Sequence, residues 1–131
     1  MKLLLDTHVL IWWLLDDPKL PPRVRERLSD IGAALFLSSA SAWEIARKFR
    51  LGRLPQAESL VGNFAEVRRL QRIEPLAVGF EHALEAGKME FAHPDPFDRM
   101  LAAQARIERM PLVTNDRALR RMKIETIWLQ P

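Results

Sequence analysis

The side chains in this sequence that could do chemistry are acidic: Asp6, Glu44, Asp98 and Asp116, with Asp95 beside the third. Asp6 follows directly on Lys2-Leu3-Leu4-Leu5, and Asp116 closes Thr114-Asn115-Asp116 after Leu112-Val113. Asp98 closes Asp95-Pro96-Phe97-Asp98. Each has an ordinary explanation. A carboxylate after a strand can cap the next helix by accepting a free backbone N–H, and Thr7 offers an alternative cap that would release Asp6. Asp95-Pro96 with Asp98 three residues on reads as an N-cap, an N1 proline and a capping box. Glu44, between Ala40 and Lys48, reads alone as a solvated residue in an i,i+4 pair with Lys48, worth roughly 0.2–0.5 kcal/mol. Taken jointly, carboxylates converging on one edge cannot all stay ionised without a cation. Hard divalent ions take oxygen ligands, and magnesium uses a few carboxylates plus waters and phosphates. Cysteine is absent, and His8, His82 and His93 show no paired ligand spacing, which argues against zinc.

Positioning these acids requires alternating strands and helices. Lys2 to Leu5 reads as a buried strand, and Val9, Trp12, Trp13 and Asp16 keep helical spacing up to Pro18. Pro21-Pro22 opens a helix over Arg23 to Ile31 that Gly32 ends. Ala34 to Leu37 is a second strand, and Ser38-Ser39 cap a helix running to Leu51-Gly52. After Pro55, the residues Leu60, Phe64, Val67 and Gln71 form one stripe of a helix that ends before Pro75. Pro75 to Val78 reads as a third strand, followed by a helix from Phe80 to Ala86 and Gly87. Asp95-Pro96 opens a helix whose face carries Phe97, Met100, Leu101, Gln104 and Ile107. Leu112 to Thr114 is a strand, Arg117 to Met122 a short helix, and Thr126 to Leu129 a last strand. Such alternation implies a parallel sheet covered on both faces, with a site at the carboxyl ends of its strands.

Composition agrees. The 131 residues are 48% hydrophobic and 28% charged, the balance of one folded domain and not of a disordered chain. The net charge of +3 is a modest basic excess and bears on solubility and non-specific association only. The absence of cysteine excludes disulfide frameworks and thiol catalysis. Lys2 and the leucines after it imitate a signal peptide, but Asp6 and His8 interrupt the apolar run and Asp16-Asp17-Pro18 stands where small cleavage-site residues belong. No apolar stretch approaches the ~18 residues that span a bilayer. The expectation is a cytoplasmic protein with no membrane association.

Leu4-Leu5-Asp6-Thr7-His8, Ser41-Ala42-Trp43-Glu44-Ile45, the stretch from His93-Pro94-Asp95-Pro96-Phe97-Asp98 to Ala105, and Thr114-Asn115-Asp116 occur here in that order. As a set they resemble the PIN-domain family, and more narrowly the VapC-type toxins of toxin–antitoxin pairs, over nearly the whole chain. The resemblance implies an α/β fold: a three-layer α/β/α domain with a central parallel sheet, residues 1–131 forming a single nuclease domain. It implies an endoribonuclease dependent on Mg2+ or Mn2+ that hydrolyses phosphodiester bonds in single-stranded RNA. The family's acids fall on Asp6, Glu44, Asp98 and Asp116, with Asp6, Asp98 and Asp116 as metal ligands. Thr114 matches the hydroxyl beside the last acid, and Asp95 and His93 match a common variant of the third motif. The chain departs from the family after Asp116, where Arg117-Ala118-Leu119 replaces a frequent further acid and aromatic. The resemblance also implies a homodimer and a small antitoxin partner that blocks the acidic site.

An acidic pocket repels phosphate, so RNA needs cations nearby. Arginines outnumber lysines 15 to 5, and guanidinium binds phosphate in bidentate fashion. Arg47, Arg99 and Arg117, next to the acids in sequence, are the candidates, against a plain solvated surface. Trp12, Trp13 and Trp43 can stack bases, although helical spacing in an apolar run favours core or subunit-interface roles. The competing reading is a non-catalytic module of this fold that binds RNA or a partner. Loss of one of the four acids would favour it, and all four are present. A receiver-like domain lacks its paired acids and late lysine here, and His8 breaks an Asp-x-Asp phosphatase motif.

Overall fold

A computed structural model describes residues 1–90 and 95–128. The expected strand over Lys2–Leu5 forms (β1) and leads at once into helix α1, Thr7–Leu14. Helix α2 (Pro22–Ser29) is followed by β2 (Ala34–Ser38) and by α3 (Ser39–Arg50). A 3-10 turn at Pro55–Ala57 precedes α4 (Glu58–Val61) and α5 (Phe64–Leu70). Next come β3 (Ile73–Leu76), α6 (Phe80–Lys88), α7 (Pro96–Glu108), β4 (Leu112–Val113), α8 (Arg117–Arg120) and β5 (Thr126–Ile127). The expected end of the last strand at Leu129 lies outside the described residues.

The strands form one sheet in the order β3-β2-β1-β4-β5, with every pairing parallel. Strand alternation sorts the core into two layers. Leu3, Leu5, Leu35, Leu37 and Val113 pack with Val9, Leu10, Val24, Leu28 and Ile45 from α1, α2 and α3. Leu4 and Leu112 face the other way, onto Leu101, Ala102 and Ala105 of α7 and Leu119 of α8. Leu3, Leu4 and Leu5 are all fully buried, each side chain contributing about 1.5–3 kcal/mol of hydrophobic stabilisation. A sheet with helices on both faces is the α/β/α sandwich implied by the sequence.

Helix α8 stops at Arg120, two residues short of the expected Met122, and three other elements depart from the sequence-based expectation. The third strand lies two residues earlier, over Ile73–Leu76, with Pro75 inside it opposite Leu37. The strand is at the edge of the sheet, where the missing N–H of proline faces outward and needs no partner. The single helix expected across Leu60 to Gln71 is two helices broken at Gly62-Asn63, where Asn63 takes a non-helical φ of −147°. Helix α2 ends at Ser29, short of Ile31. Ser29 Oγ donates back to the Arg25 carbonyl, and Asp30 turns its carboxylate to accept from the Gly32 N–H at 2.8 Å, the local competition that unwinds helix ends.

The topology matters most at one seam. From β1 the chain builds outward through β2 and β3, then returns to the other side of β1 to lay down β4. The strand order therefore reverses between β1 and β4, and the crevice at the carboxyl ends of such a pair is where open α/β sheets bind ligands. Asp6 and Thr114 are the residues that follow β1 and β4.

Candidate functional site

Asp6 caps α1, as the ordinary explanation requires, but capping does not exhaust it. Its Oδ1 accepts from the His8 N–H at a long 3.4 Å, while its Oδ2 accepts from the Thr114 hydroxyl at 2.6 Å. Thr7 is not the cap; it is the first residue of α1, and its hydroxyl donates to Ser41 Oγ at 2.9 Å. That buried pair ties α1 to the first turn of α3. Asp6 is only 5% exposed, and burial pushes its carboxyl above the usual range, an effect only partly offset by the Thr114 hydrogen bond and His8. Asp116 accepts at Oδ1 from the Ala118 and Leu119 N–H groups, capping α8. Its own N–H donates to Thr114 Oγ1 at 3.0 Å. Thr114 therefore links the carboxylate after β1 to the acid that opens α8.

Glu44 differs from the solvated residue its sequence context suggests. Its side chain is 3% exposed, with Lys48 Nζ donating to Oε2 at 2.6 Å. The i,i+4 pair forms, but only its lysine end reaches solvent. The other oxygen, Oε1, is buried with no hydrogen-bond partner. A charged oxygen left so is costly, and it is the kind of atom that a cation or a bound water satisfies. The phase of α3 explains the burial: Ala40, Ser41, Glu44 and Ile45 share its buried stripe.

Helix α7 brings the third acid. Asp95 is its N-cap, accepting from the Phe97 N–H at 2.8 Å and the Asp98 N–H at 3.3 Å, with Pro96 at the first helical position. Asp98, in the first turn, points into a cleft of about 290 Å³ lined by Asp6, Glu44, Asp95, Asp98 and Asp116 together with His8, Val9, Trp12 and Asn115. Burial, and then the charges of Asp6, Asp95, Asp116 and Glu44, push its pKa up to about 8. The acids named from the sequence thus meet in one cleft at the switch point of the sheet. Among the described residues no three His, Asp or Glu side chains stand close enough together to hold a metal ion as they are placed. The all-oxygen donor set, the unpartnered Glu44 oxygen and the raised Asp98 carboxyl all fit a hard divalent cation.

The profile of the PIN domain matches residues 3–125 of this chain. The chain belongs to the PIN-domain family. Over 58 residues this PIN domain is 38% identical to Ribonuclease VapC16 of Mycobacterium tuberculosis (strain ATCC 25618 / H37Rv). That match takes in 44% of the chain and 41% of the relative, so the chain spans less than half of that protein's length. Among solved structures it resembles the DNA-bound VapBC of Salmonella typhimurium, with a TM-score of 0.68 and 26% identity over 98% of this chain and 97% of that one. VapBC2 of Rickettsia felis, bound to a DNA fragment of its promoter, has a TM-score of 0.70 at 18% identity over 96% of each chain. The second likeness carries the fold alone.

The basic candidates fare unevenly. Arg47, in the last turn of α3, and Arg117, at the start of α8, are exposed. Arg99 donates from its guanidinium to the carbonyls of Ala86 and Met89 at the C-terminal end of α6. These bonds tie α6 to α7. His93 lies outside the described residues. Trp12, weighed from the sequence as a base-stacking residue against a core or interface role, lines the cleft, whereas His8 and Asn115 were not among the sequence candidates for the site. Two signals point to them: His8 and Trp12 stand one helical turn apart on the helix that Asp6 caps, and Asn115 sits between Thr114 and Asp116.

Proposed function

We propose that this PIN domain, residues 1–131, is an endoribonuclease that hydrolyses phosphodiester bonds in single-stranded RNA with Mg2+ or Mn2+, and is the toxin of a toxin–antitoxin pair in the cytoplasm. The observation that carries this reading is the convergence of Asp6, Glu44, Asp98 and Asp116 on one cleft at the β1/β4 seam. The likeness to a ribonuclease and to VapBC structures supports it.

In this reading Asp6, Asp98 and Asp116 hold the cation, with Glu44 beside them. A bound divalent ion would stabilise charge developing on the phosphoryl oxygens and make a nucleophile of water near neutral pH. The residues of the chain do the positioning. Thr114 holds Oδ2 of Asp6 by its hydroxyl while Oδ1 meets the His8 N–H, so the carboxylate that lines the cleft keeps a set orientation. Asp95 fixes the first turn of α7, and so the place from which Asp98 projects. Lys48 neutralises one oxygen of Glu44 and leaves the second for an ion or an ordered water. Arg47 and Arg117 would receive the flanking phosphates.

The partners follow from the same surfaces. A small antitoxin that carries a basic side chain into the Asp6/Asp98 cleft would supply the charge a metal otherwise supplies. Exposed Trp43, Val78, Phe80 and Leu84 make an apolar surface suited to a second copy of the chain. The test is cleavage of a single-stranded RNA by purified protein with Mg2+, with Mn2+, and with excess chelator. Cutting that needs the divalent ion and disappears with chelator is expected; undiminished cutting in chelator overturns the metal reading.

A further inference from the structure

We infer that Trp12 is the platform on which one RNA base next to the cleaved phosphate stacks, an inference that rests on the ribonuclease reading. Helical spacing alone favours a core or interface role for Trp12, Trp13 and Trp43, and the structure separates the three. Trp12 and Trp13 both pack against the core, and Trp13 has the Arg25 guanidinium over its ring. Trp43 is 67% exposed, edge-on to Phe97, and is not among the residues that line the cleft. Trp12 is half-buried and lines the acidic cleft itself, in the company of Asp6, Asp98 and Asp116.

The cleft poses a chemical problem that this ring answers. Its carboxylates repel every phosphate that the cation does not neutralise, so the neutral, aromatic part of a nucleotide is what the wall can accept directly. Stacking on a tryptophan needs no charge and tolerates any base. Two aromatic rings among the described residues neighbour Trp12. His8, one turn earlier on α1, meets it at 6.1 Å and 44°, and Trp128 after β5 meets it at 6.2 Å and 59°. Both are tilted, so neither lies flat over the indole as a base would. The same helix that presents Trp12 starts at Asp6, which fixes the ring relative to the acid that would hold the metal. A base on Trp12 therefore sets the register of the chain, and with it the phosphodiester bond that reaches the acids.

The experiment scans a cleavable single-stranded RNA with one abasic site at each position around the cut, against wild type, Trp12→Leu and Trp12→Phe, all with Mn2+. Trp12→Leu keeps an apolar side chain against the core and is first checked by thermal melt. Stacking on an aromatic platform predicts a roughly 5- to 100-fold loss of kcat/KM in Trp12→Leu, carried mainly by KM, with most of the activity restored in Trp12→Phe. One abasic position should cost wild type a similar factor and cost Trp12→Leu nothing further. A folded Trp12→Leu with unchanged kcat/KM, or equal abasic penalties in both proteins at every position, overturns the inference. If Trp12→Leu does not fold, the same abasic comparison is made with Trp12→Phe, where the penalty at that one position should shrink; an unchanged penalty overturns the inference. A wild type that cuts no RNA overturns the ribonuclease reading, whereas one that cuts and shows no coupling between Trp12 and any base overturns this inference alone.

Discussion

Asp98→Asn tests whether the first turn of α7 is built for capping or for a cation. Asp98 is held near pKa 8 in the folded protein, against 3.8 for the free side chain, by burial and by the charges of Asp6, Asp95, Asp116 and Glu44. The native state therefore holds the Asp98 proton more tightly than the unfolded chain does. Its contribution to stability is fully present below pH 4 and is lost as pH rises towards 8. Four decades of proton affinity set a ceiling of about 6 kcal/mol. The side chain is only part-buried in an open cleft, so solvent and counter-ions absorb most of that, and about 1–2 kcal/mol is expected. Asparagine is nearly isosteric and carries no charge. In metal-free buffer the variant should match wild type near pH 4.5 and melt about 3–8 °C higher at pH 8.5–9. Adding 10 mM Mg2+ should then raise the melting temperature of wild type and leave the variant where it was, because only a state that binds the ion gains stability from it. Cleavage should fall by orders of magnitude. A pure cap residue would behave otherwise: a lower melting point by a fraction of 1 kcal/mol, no pH dependence of the difference, and intact cleavage. A variant no more stable than wild type at pH 9, or equally stabilised at both pH values, would refute the reasoning.

Other outcomes follow from the same contacts. Thr114→Val removes the donor to a buried carboxylate and should destabilise by about 1–3 kcal/mol in urea titration, with cleavage reduced as Asp6 loses its set direction. Titration calorimetry of Mg2+ near pH 7 in buffers of different ionisation enthalpy should show a proton released on binding, since Asp98 must ionise to ligate; a buffer-independent heat would contradict that. Arg47→Ala and Arg117→Ala should each flatten the salt dependence of RNA binding by about one phosphate contact. Arg99→Ala should leave that slope alone and lower the melting point instead, because its donors hold the end of α6.

Much of this architecture was legible because strand ends and acids coincide. Lys2–Leu5 and Leu112–Val113 are apolar runs terminated by Asp6 and by Thr114-Asn115-Asp116, and the carboxyl-edge rule for parallel sheets assigns such residues to a site before any pairing is known. What local patterns do not carry is that β1 pairs with β4, more than a hundred residues away, rather than with β2 alone. That pairing turns two helix caps into neighbours bridged by a single hydroxyl. The edge position of β3 was hidden for a related reason: whether a proline is tolerated in a strand depends on whether a neighbour claims its missing N–H, and strand order is not a local property.

Glu44 shows where the physics of burial outruns hydrophobic patterning. Ala40, Ser41 and Ile45 mark the buried stripe of α3, and Glu44 falls on it, but its charge assigns it to the solvent side on any scale that scores residues one at a time. A glutamate on that stripe persists only if something meets its charge. Lys48 meets half of it, through Oε2. Glu44 lines the same cleft as the Asp98 carboxyl, which burial, and then the surrounding acids, push up to about 8. A cation taken up from solution would meet Oε1, so Glu44→Gln should leave the melting point within about 1 kcal/mol of wild type while weakening Mg2+ binding measured by calorimetry. A melt lowered well beyond that range with Mg2+ affinity unchanged would mean that the Lys48 pair is all that Glu44 serves.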